Sequence, residues 1–154
     1  MPPPFQRVLD DHSAAVLRFL AASVGPLDAD DCFQETVIAA LRAYPRLRHA
    51  DNLRGWLLTI AHRKALDHHR ARSRRAVPVA DPDAGYAEPD QPPDDDLWRA
   101  VHALPPKQRG AVLLRFVGDL SHREIAAALG SSEEAARRAL ADGLAKLRKE
   151  WTPA

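Results

Sequence analysis

Between Arg54 and Arg75 the chain gathers Arg54, His62, Arg63, Lys64, His68, His69, Arg70, Arg72, Arg74 and Arg75, with Asp67 as the single acid inside that stretch. So many cations cannot be paired internally. Arg and Lys displace condensed counterions from phosphates, so the chemistry on offer is recognition of a nucleic-acid backbone. Trp56, at the front of the same stretch, fits a core position better than a base-stacking surface. A second constellation runs from Ser121 to Ser132, Ser-His-Arg-Glu-Ile-Ala-Ala-Ala-Leu-Gly-Ser-Ser, and continues without a break to Lys149. Leu120, Ile125, Ala126 and Leu129 share one helical face, Gly130 supplies a left-handed C-cap, and Ser131 or Ser132 caps the next helix. That is a helix-turn-helix, whose second helix is presented to a major groove. Arg137 and Arg138 there suit guanine edges or phosphates, and Glu124 suits a cytosine amine.

A third group, Asp28, Asp30 and Asp31 with Gln34 and Glu35, lies at the start of a helix. Catalytic carboxylates would need a pocket and a partner base, and nothing nearby provides one. N-capping accounts for Asp28 or Asp30. It does not account for Gln34 and Glu35 on the opposite side, which look like a polar interaction face; capping and interaction both stay open for this helix start. The seven histidines include His62 and His69, seven apart on one face, but no Cys or carboxylate stands at a ligand spacing. No metal, no cofactor and no catalytic residue is therefore expected. No nucleotide-binding or hydrolase motif is present either, so the chain is not read as an enzyme.

The elements that must position these groups are all helical. Val8, Ala15, Val16, Phe19 and Leu20 predict a first helix over about 5–22, closed by Gly25-Pro26. A second opens at Asp28 with Phe33, Val37, Ala40, Leu41 and Tyr44 inward, and Pro45 stops it. A third spans about 53–72, its inward stripe being Leu53, Trp56, Leu57, Ile60, Ala61, Lys64, Ala65 and His68. Its first half is buried and its basic second half solvated. Residues 77–96 carry Pro78, Pro82, Pro89, Pro92 and Pro93 among acids, too little apolar surface to fold, and read as an extended linker. A helix over 97–103 begins a second domain. Another starts at Pro106 with Val112, Leu113 and Phe116 inward, and Gly118-Asp119 turns into the helix-turn-helix. The fold class is all-α: two small helical domains joined by an acidic Pro-rich linker.

Charge follows the same division. The net charge of +1 hides two Arg against six acids in 1–41, then ten Lys/Arg against Asp51 and Asp67 in 42–75. Seven acids and no Lys or Arg follow in 76–97, then ten bases against six acids in 98–154. Two basic units on an acidic tether suit a protein that touches phosphates at two places. No apolar run approaches the ~18 residues of a membrane span, so no membrane insertion is expected. The start lacks the apolar run of a signal peptide, and the lone Cys32 excludes an internal disulfide and suits a reducing, cytoplasmic setting. Cys32 itself reads as a small buried residue.

Asp28-Ala29-Asp30-Asp31-Cys32-Phe33-Gln34-Glu35-Thr36 resembles the core-binding helix of the small bacterial sigma factors of the extracytoplasmic-function group. Leu53 to Arg70, with Ile60-Ala61-His62-Arg63-Lys64-Ala65-Leu66-Asp67, is similar to that family's promoter-melting helix. Leu104-Pro105-Pro106-Lys107-Gln108-Arg109, Leu113-Leu114-Arg115-Phe116 and the run Leu120 to Gly130 resemble the opening and the helix-turn-helix of its second domain. The resemblance covers about 5–75 and 97–150.

It implies a transcription initiation factor that binds core RNA polymerase, confers promoter specificity and nucleates melting without nucleotide hydrolysis. A domain over 1–76 would hold the clamp of the largest subunit through Asp30, Asp31, Phe33, Gln34, Glu35 and Thr36. Its third helix and the loop before it would recognise and open the −10 element through Arg46, Arg48, Asn52, Arg54, Trp56, His62, Arg63, Lys64, Asp67, His68 and Arg70. The linker, 77–96, would thread toward the active-site cleft. A domain over 97–154 would bind the flap of the second-largest subunit and read the −35 element through Arg123, Glu124, Ser132, Glu133, Ala136, Arg137 and Arg138. An anti-sigma factor that masks one domain is a further partner the family suggests.

The chain departs from the family late in the recognition helix, where a basic pattern is replaced by Asp142, Gly143 and Leu144; with Glu133 and Glu134 this weakens phosphate contacts at −35. Two other readings remain. One is a stand-alone helix-turn-helix regulator that dimerises through its first domain. The other is a degenerate sigma-like protein that occupies polymerase without reading DNA.

Overall fold

Helix α1, Phe5–Val24, turns Val8, Ala15, Val16, Phe19 and Leu20 inward, the three-and-four spacing anticipated. In the computed structural model, which describes residues 3–48, 51–75 and 95–150, this helix ends at Gly25. A φ of 91° there costs a glycine nothing. The same residue leads directly into α2, Pro26–Ala43, whose first-position proline gives up an amide that has no intrahelical partner anyway. The inward face of α2 is Ala29, Cys32, Thr36 and Ala40. Phe33, Val37 and Tyr44 are half-buried, and Leu41, expected inside, is 55% exposed. Small side chains on the inner face let α2 approach α1 and α3 closely, which leaves the larger Leu27, Ile38 and Leu41 outside.

A 3-10 turn at Tyr44–Arg46 follows, and Tyr44 donates its hydroxyl hydrogen to the carbonyl of Pro3. Residues 49 and 50, in the middle of the anticipated loop, lie outside the described residues. Asn52 opens α3, Leu53–Arg75: its Oδ1 accepts from the Gly55 N–H at 2.9 Å, an N-cap that satisfies one of the helix's free donors. Leu57, Leu58, Ala61 and Ala65 of α3 are buried; Lys64 and His68, assigned to the inward stripe, are half-buried.

The anticipated linker falls almost wholly on residues 76–94, outside the described residues. Its last two positions do not: α4, Asp95–Ala103, already includes positions 95 and 96. Helix α5, Pro106–Phe116, has Gly110, Ala111, Val112, Leu113 and Leu114 all buried. Its middle is covered by neighbouring helices, while Pro106, Lys107 and Phe116 are exposed. Phe116, expected inward, is 63% exposed: as the last residue of α5 it lies beyond the buried run 110–114.

Helix α6, His122–Leu129, starts with a reciprocal capping box. Ser121 Oγ accepts from the Glu124 N–H at 3.2 Å, and Glu124 Oε1 accepts from the Ser121 N–H at 2.9 Å. It ends at Gly130 with φ 66° and ψ 36°, the left-handed cap anticipated. Of the two candidate caps of α7, Glu133–Glu150, Ser132 is the one used, its Oγ accepting from the Ala135 N–H at 3.1 Å.

Helices α1–α3 pack on one another, as do α4–α7, and the two units also meet: α3 lies against α5 and α6, and α1 against α5. Their interiors merge into one cluster of buried side chains. The sequence leaves both a separated and a packed arrangement open; the folded chain takes the packed one. Among the described residues no helix is long and apolar enough to cross a membrane. No group of three or more His, Cys, Asp or Glu among them is placed to hold a metal ion.

Candidate nucleic-acid interface

The outer face of α3 presents Arg63, Asp67 and Arg70 to solvent, with Lys64 half-buried beside them. Arg46, Arg48, Asp51 and Asn52 are exposed just ahead of the helix. Arg46, Arg48, Arg63 and Arg70 are thus exposed cations, with Asp51 and Asp67 exposed among them. Several residues assigned to the −10 element are already engaged. The Asn52 side chain caps α3. Trp56 is half-buried against the core, its ring 5.9 Å from that of Tyr44. His68 Nε2 is 3.1 Å from Asp28 Oδ2, which Arg72 also reaches at 3.1 Å. Asp28 thus ties the start of α2 to the far end of α3.

His62 departs most from its expected place. It is 4% exposed, and its ring stacks edge-on at 6.5 Å from Phe19. A Cβ built on Gly110 of α5 would lie 2.7 Å from its Cε1. Burial, followed by the positive charges of Arg63 and Arg109 and then His69, holds its pKa down at about 4. It is a neutral interface residue in this arrangement, covered by the second helical unit. One hint was legible in the spacing, the shared face of His62 and His69.

In the helix-turn-helix, Arg123, Ser132, Glu133, Arg137 and Arg138 are exposed, so the outward face of α7 is free. Ala136 is buried and faces the core. Arg137 donates to Glu133 Oε1 at 3.1 Å, one turn back, which offsets part of the negative charge at the helix start. Glu124 uses Oε1 in its capping box. Of the atypical trio, only Asp142 faces water. Gly143 is buried, where a Cβ would lie 3.0 Å from Val112 Cγ2, and Leu144 packs on the core. Those two positions serve the contact between α7 and α5.

Along α2, Asp30, Asp31, Gln34 and Glu35 are exposed, while Phe33 is half-buried and Thr36 is buried with its hydroxyl donating to the Cys32 carbonyl at 2.7 Å. Cys32 is buried as anticipated. Burial, then the charges of Glu35, Asp28 and Asp31, raise its pKa to about 11, so the thiol stays protonated and inert. Residues missed by the sequence reading complete this face. Leu27, Ile38 and Leu41 are 72%, 51% and 55% exposed. With Asp31 and Gln34 they make a stripe at spacings of four, three, four and three.

A three-helix unit with a basic outer helix, followed by a helix-turn-helix unit, is an arrangement suited to binding DNA. Comparison with known proteins narrows that class. The Sigma-70 region 2 profile matches residues 8–75 and the Sigma-70, region 4 profile matches residues 94–147. The chain is 36% identical over 160 residues to the ECF RNA polymerase sigma factor SigD of Mycobacterium tuberculosis, covering 94% of this chain and 76% of that protein. It is 31% identical over 142 residues to the ECF RNA polymerase sigma factor BldN of Streptomyces coelicolor, covering 85% of this chain and 54% of that one. Its fold resembles that of the sigma factor RpoE, solved with the anti-sigma factor NepR from Bartonella quintana, with a TM-score of 0.77 at 22% identity over 95% of both chains. It also resembles CnrH, solved with the cytosolic domain of CnrY, with a TM-score of 0.68 at 22% identity over 94% of this chain and 85% of that one.

The chain belongs to the extracytoplasmic-function sigma factors. It is a transcription initiation factor, a class of DNA-binding proteins and not of enzymes. The presence of both region 2 and region 4 disfavours a stand-alone helix-turn-helix regulator or a degenerate relative.

Proposed function

We propose that the chain works as a two-point clamp between core RNA polymerase and promoter DNA, with domains over 1–76 and 97–154 joined by the acidic segment 77–96. The outward stripe of α2 carries this reading. Large apolar side chains left in water on a helix that has smaller ones inside are explained by a partner that covers them. That partner is the clamp of the polymerase's largest subunit, held by Leu27, Ile38 and Leu41 with Asp30, Asp31, Gln34 and Glu35.

Arg46, Arg48, Arg54, Arg63, Lys64 and Arg70 then engage the −10 element, neutralising backbone phosphates while unpaired bases are held out of the stack. Melting is driven by that binding energy alone. Arg123, Ser132, Glu133, Arg137 and Arg138 face the −35 element, with Asp142 and Glu134 weakening the phosphate grip there. Phe116 seats on the flap of the second-largest subunit, and the segment between the domains threads toward the active-site cleft. The cytoplasm, where polymerase and DNA reside, is the compartment. An anti-sigma factor, the kind of partner with which RpoE was solved, is the regulator.

Photo-crosslinking tests the two docking points. A benzophenone side chain at position 41 is expected to label the largest polymerase subunit, and one at position 116 the second-largest. Labelling of neither, in a mixture where the chain co-purifies with polymerase, would overturn this arrangement.

A further inference from the structure

The basic end of α3 has little apolar packing to hold it. Leu57, Leu58, Ala61 and Ala65 are buried, but among the described residues of α3 none after Ala65 is buried. Arg70 and Arg74 stand one turn apart, a spacing at which like charges repel, and the last turn of any helix tends to fray. Two polar ties take over where the core ends. His69 Nε2 donates to the Ser23 carbonyl of α1 at 2.8 Å. On the other side, Oδ2 of Asp28, in the first turn of α2, accepts from His68 Nε2 and from Arg72 Nη1, each at 3.1 Å.

The positions on α3 give that second tie a direction. Ala61, Ala65, His68 and Arg72 follow one another at spacings of four, three and four, so the two partners of Asp28 continue the buried line of the helix. Arg63, Asp67, Arg70 and Arg74 follow the same spacings and are all exposed. They are two residues out of step with the first line, hence about 200° round the helix at about 3.6 residues per turn. Arg74 Nε also reaches the Arg70 carbonyl at 3.4 Å. From Arg63 to Arg74 the rise is about 16 Å at about 1.5 Å per residue, the length of roughly five base steps at about 3.4 Å each along a strand. Turning His68 and Arg72 toward α2 therefore turns three arginines outward along one strand's worth of phosphates.

We propose that Asp28 is a positioning residue for DNA: by holding His68 and Arg72 inward it fixes the rotation of the end of α3 and aligns Arg63, Arg70 and Arg74 on the phosphate backbone of the promoter. This rests on the proposed function and deepens it. Arg74 joins the contact set, and His68 and Arg72 leave it. The helix dipole favours an acid at the start of α2, but it does not require one that takes both its partners from α3. Near a phosphate-binding face an acid acting only through its charge repels the ligand, so the two roles of Asp28 have opposite signs.

The test measures binding of the holoenzyme, full chain on purified core polymerase, to a promoter duplex taken from a start site that depends on the chain. Asp28→Asn is expected to weaken that binding about threefold, the scale of a partly exposed ion pair, where loss of a merely solvated acid would strengthen it. In the same variant amide hydrogen exchange over residues 68–74 should quicken, with the earlier part of α3 unchanged. Asp28→Glu, which keeps the carboxylate, should restore most of the affinity. Arg70→Ala and Arg74→Ala should each shrink the slope of log affinity against log salt by about 0.7–0.9, while Arg72→Ala leaves it unchanged. Binding by Asp28→Asn as tight as the parent's or tighter would overturn the positioning role. So would a slope that falls with Arg72→Ala and stays with Arg74→Ala. A parent chain that directs no start site with core polymerase would instead overturn the proposed function, and the role of Asp28 with it.

Discussion

Replacing Ile38 and Leu41 together by aspartate is expected to raise the Kd for core RNA polymerase about a thousandfold while leaving the fold intact. The side chains are 51% and 55% exposed on the outer face of α2, so neither contributes much to the interior. Burying a large aliphatic side chain at an interface contributes about 2 kcal/mol, and two of them about 4, which is about three orders of magnitude in affinity. The introduced carboxylates add a desolvation cost in the same direction. Helical circular dichroism should be nearly that of the parent, since aspartate costs a helix only about 0.5 kcal/mol per site. Fluorescence anisotropy with labelled chain and purified core polymerase reads the change. A Kd within threefold of the parent would remove the α2 stripe from the docking surface.

The double substitution Arg63→Ala/Lys64→Ala is expected to separate docking from promoter opening. Arg63 is exposed and Lys64 half-buried on the outer side of α3, away from the α2 stripe, so polymerase affinity should stay within about twofold. Promoter affinity should fall by about 50-fold at 0.1 M salt, the loss of two phosphate contacts. The slope of log affinity against log salt should shrink by about 1.4 to 1.8. Permanganate reactivity of thymines in the −10 region should disappear. Retained melting would shift the opening function elsewhere on the first domain. Loss of polymerase binding would mean that the basic face of α3 serves the protein partner.

How much of this was legible in the sequence depends on the range of the interactions involved. Local signals were read well. Ser121, Gly130 and Ser132 act within four residues of themselves, and each sits where its chemistry requires. The helix at Pro106 and the break at Gly25 follow from the same kind of punctuation. Side-chain commitments between elements were not legible. His62 looked like one more cation on a basic helix, and only packing against Gly110, forty-eight residues away, makes it a buried neutral imidazole. Leu41 and Phe116 look identical to core residues in a list of apolar positions. Their exposure follows from which part of each helix the neighbouring helices cover, a property of the assembled bundle. Asn52, assigned to DNA by the resemblance, and Glu124 and Arg137, assigned by type, also hold local caps or an ion pair.

In vitro transcription with purified bacterial core polymerase on genomic fragments, with and without this chain, tests the central claim most directly. The account predicts start sites that appear only with the chain and share a −10 and −35 element at fixed spacing, and that vanish with Arg63→Ala/Lys64→Ala. Stable binding to polymerase with no dependent start site on any fragment would contradict it.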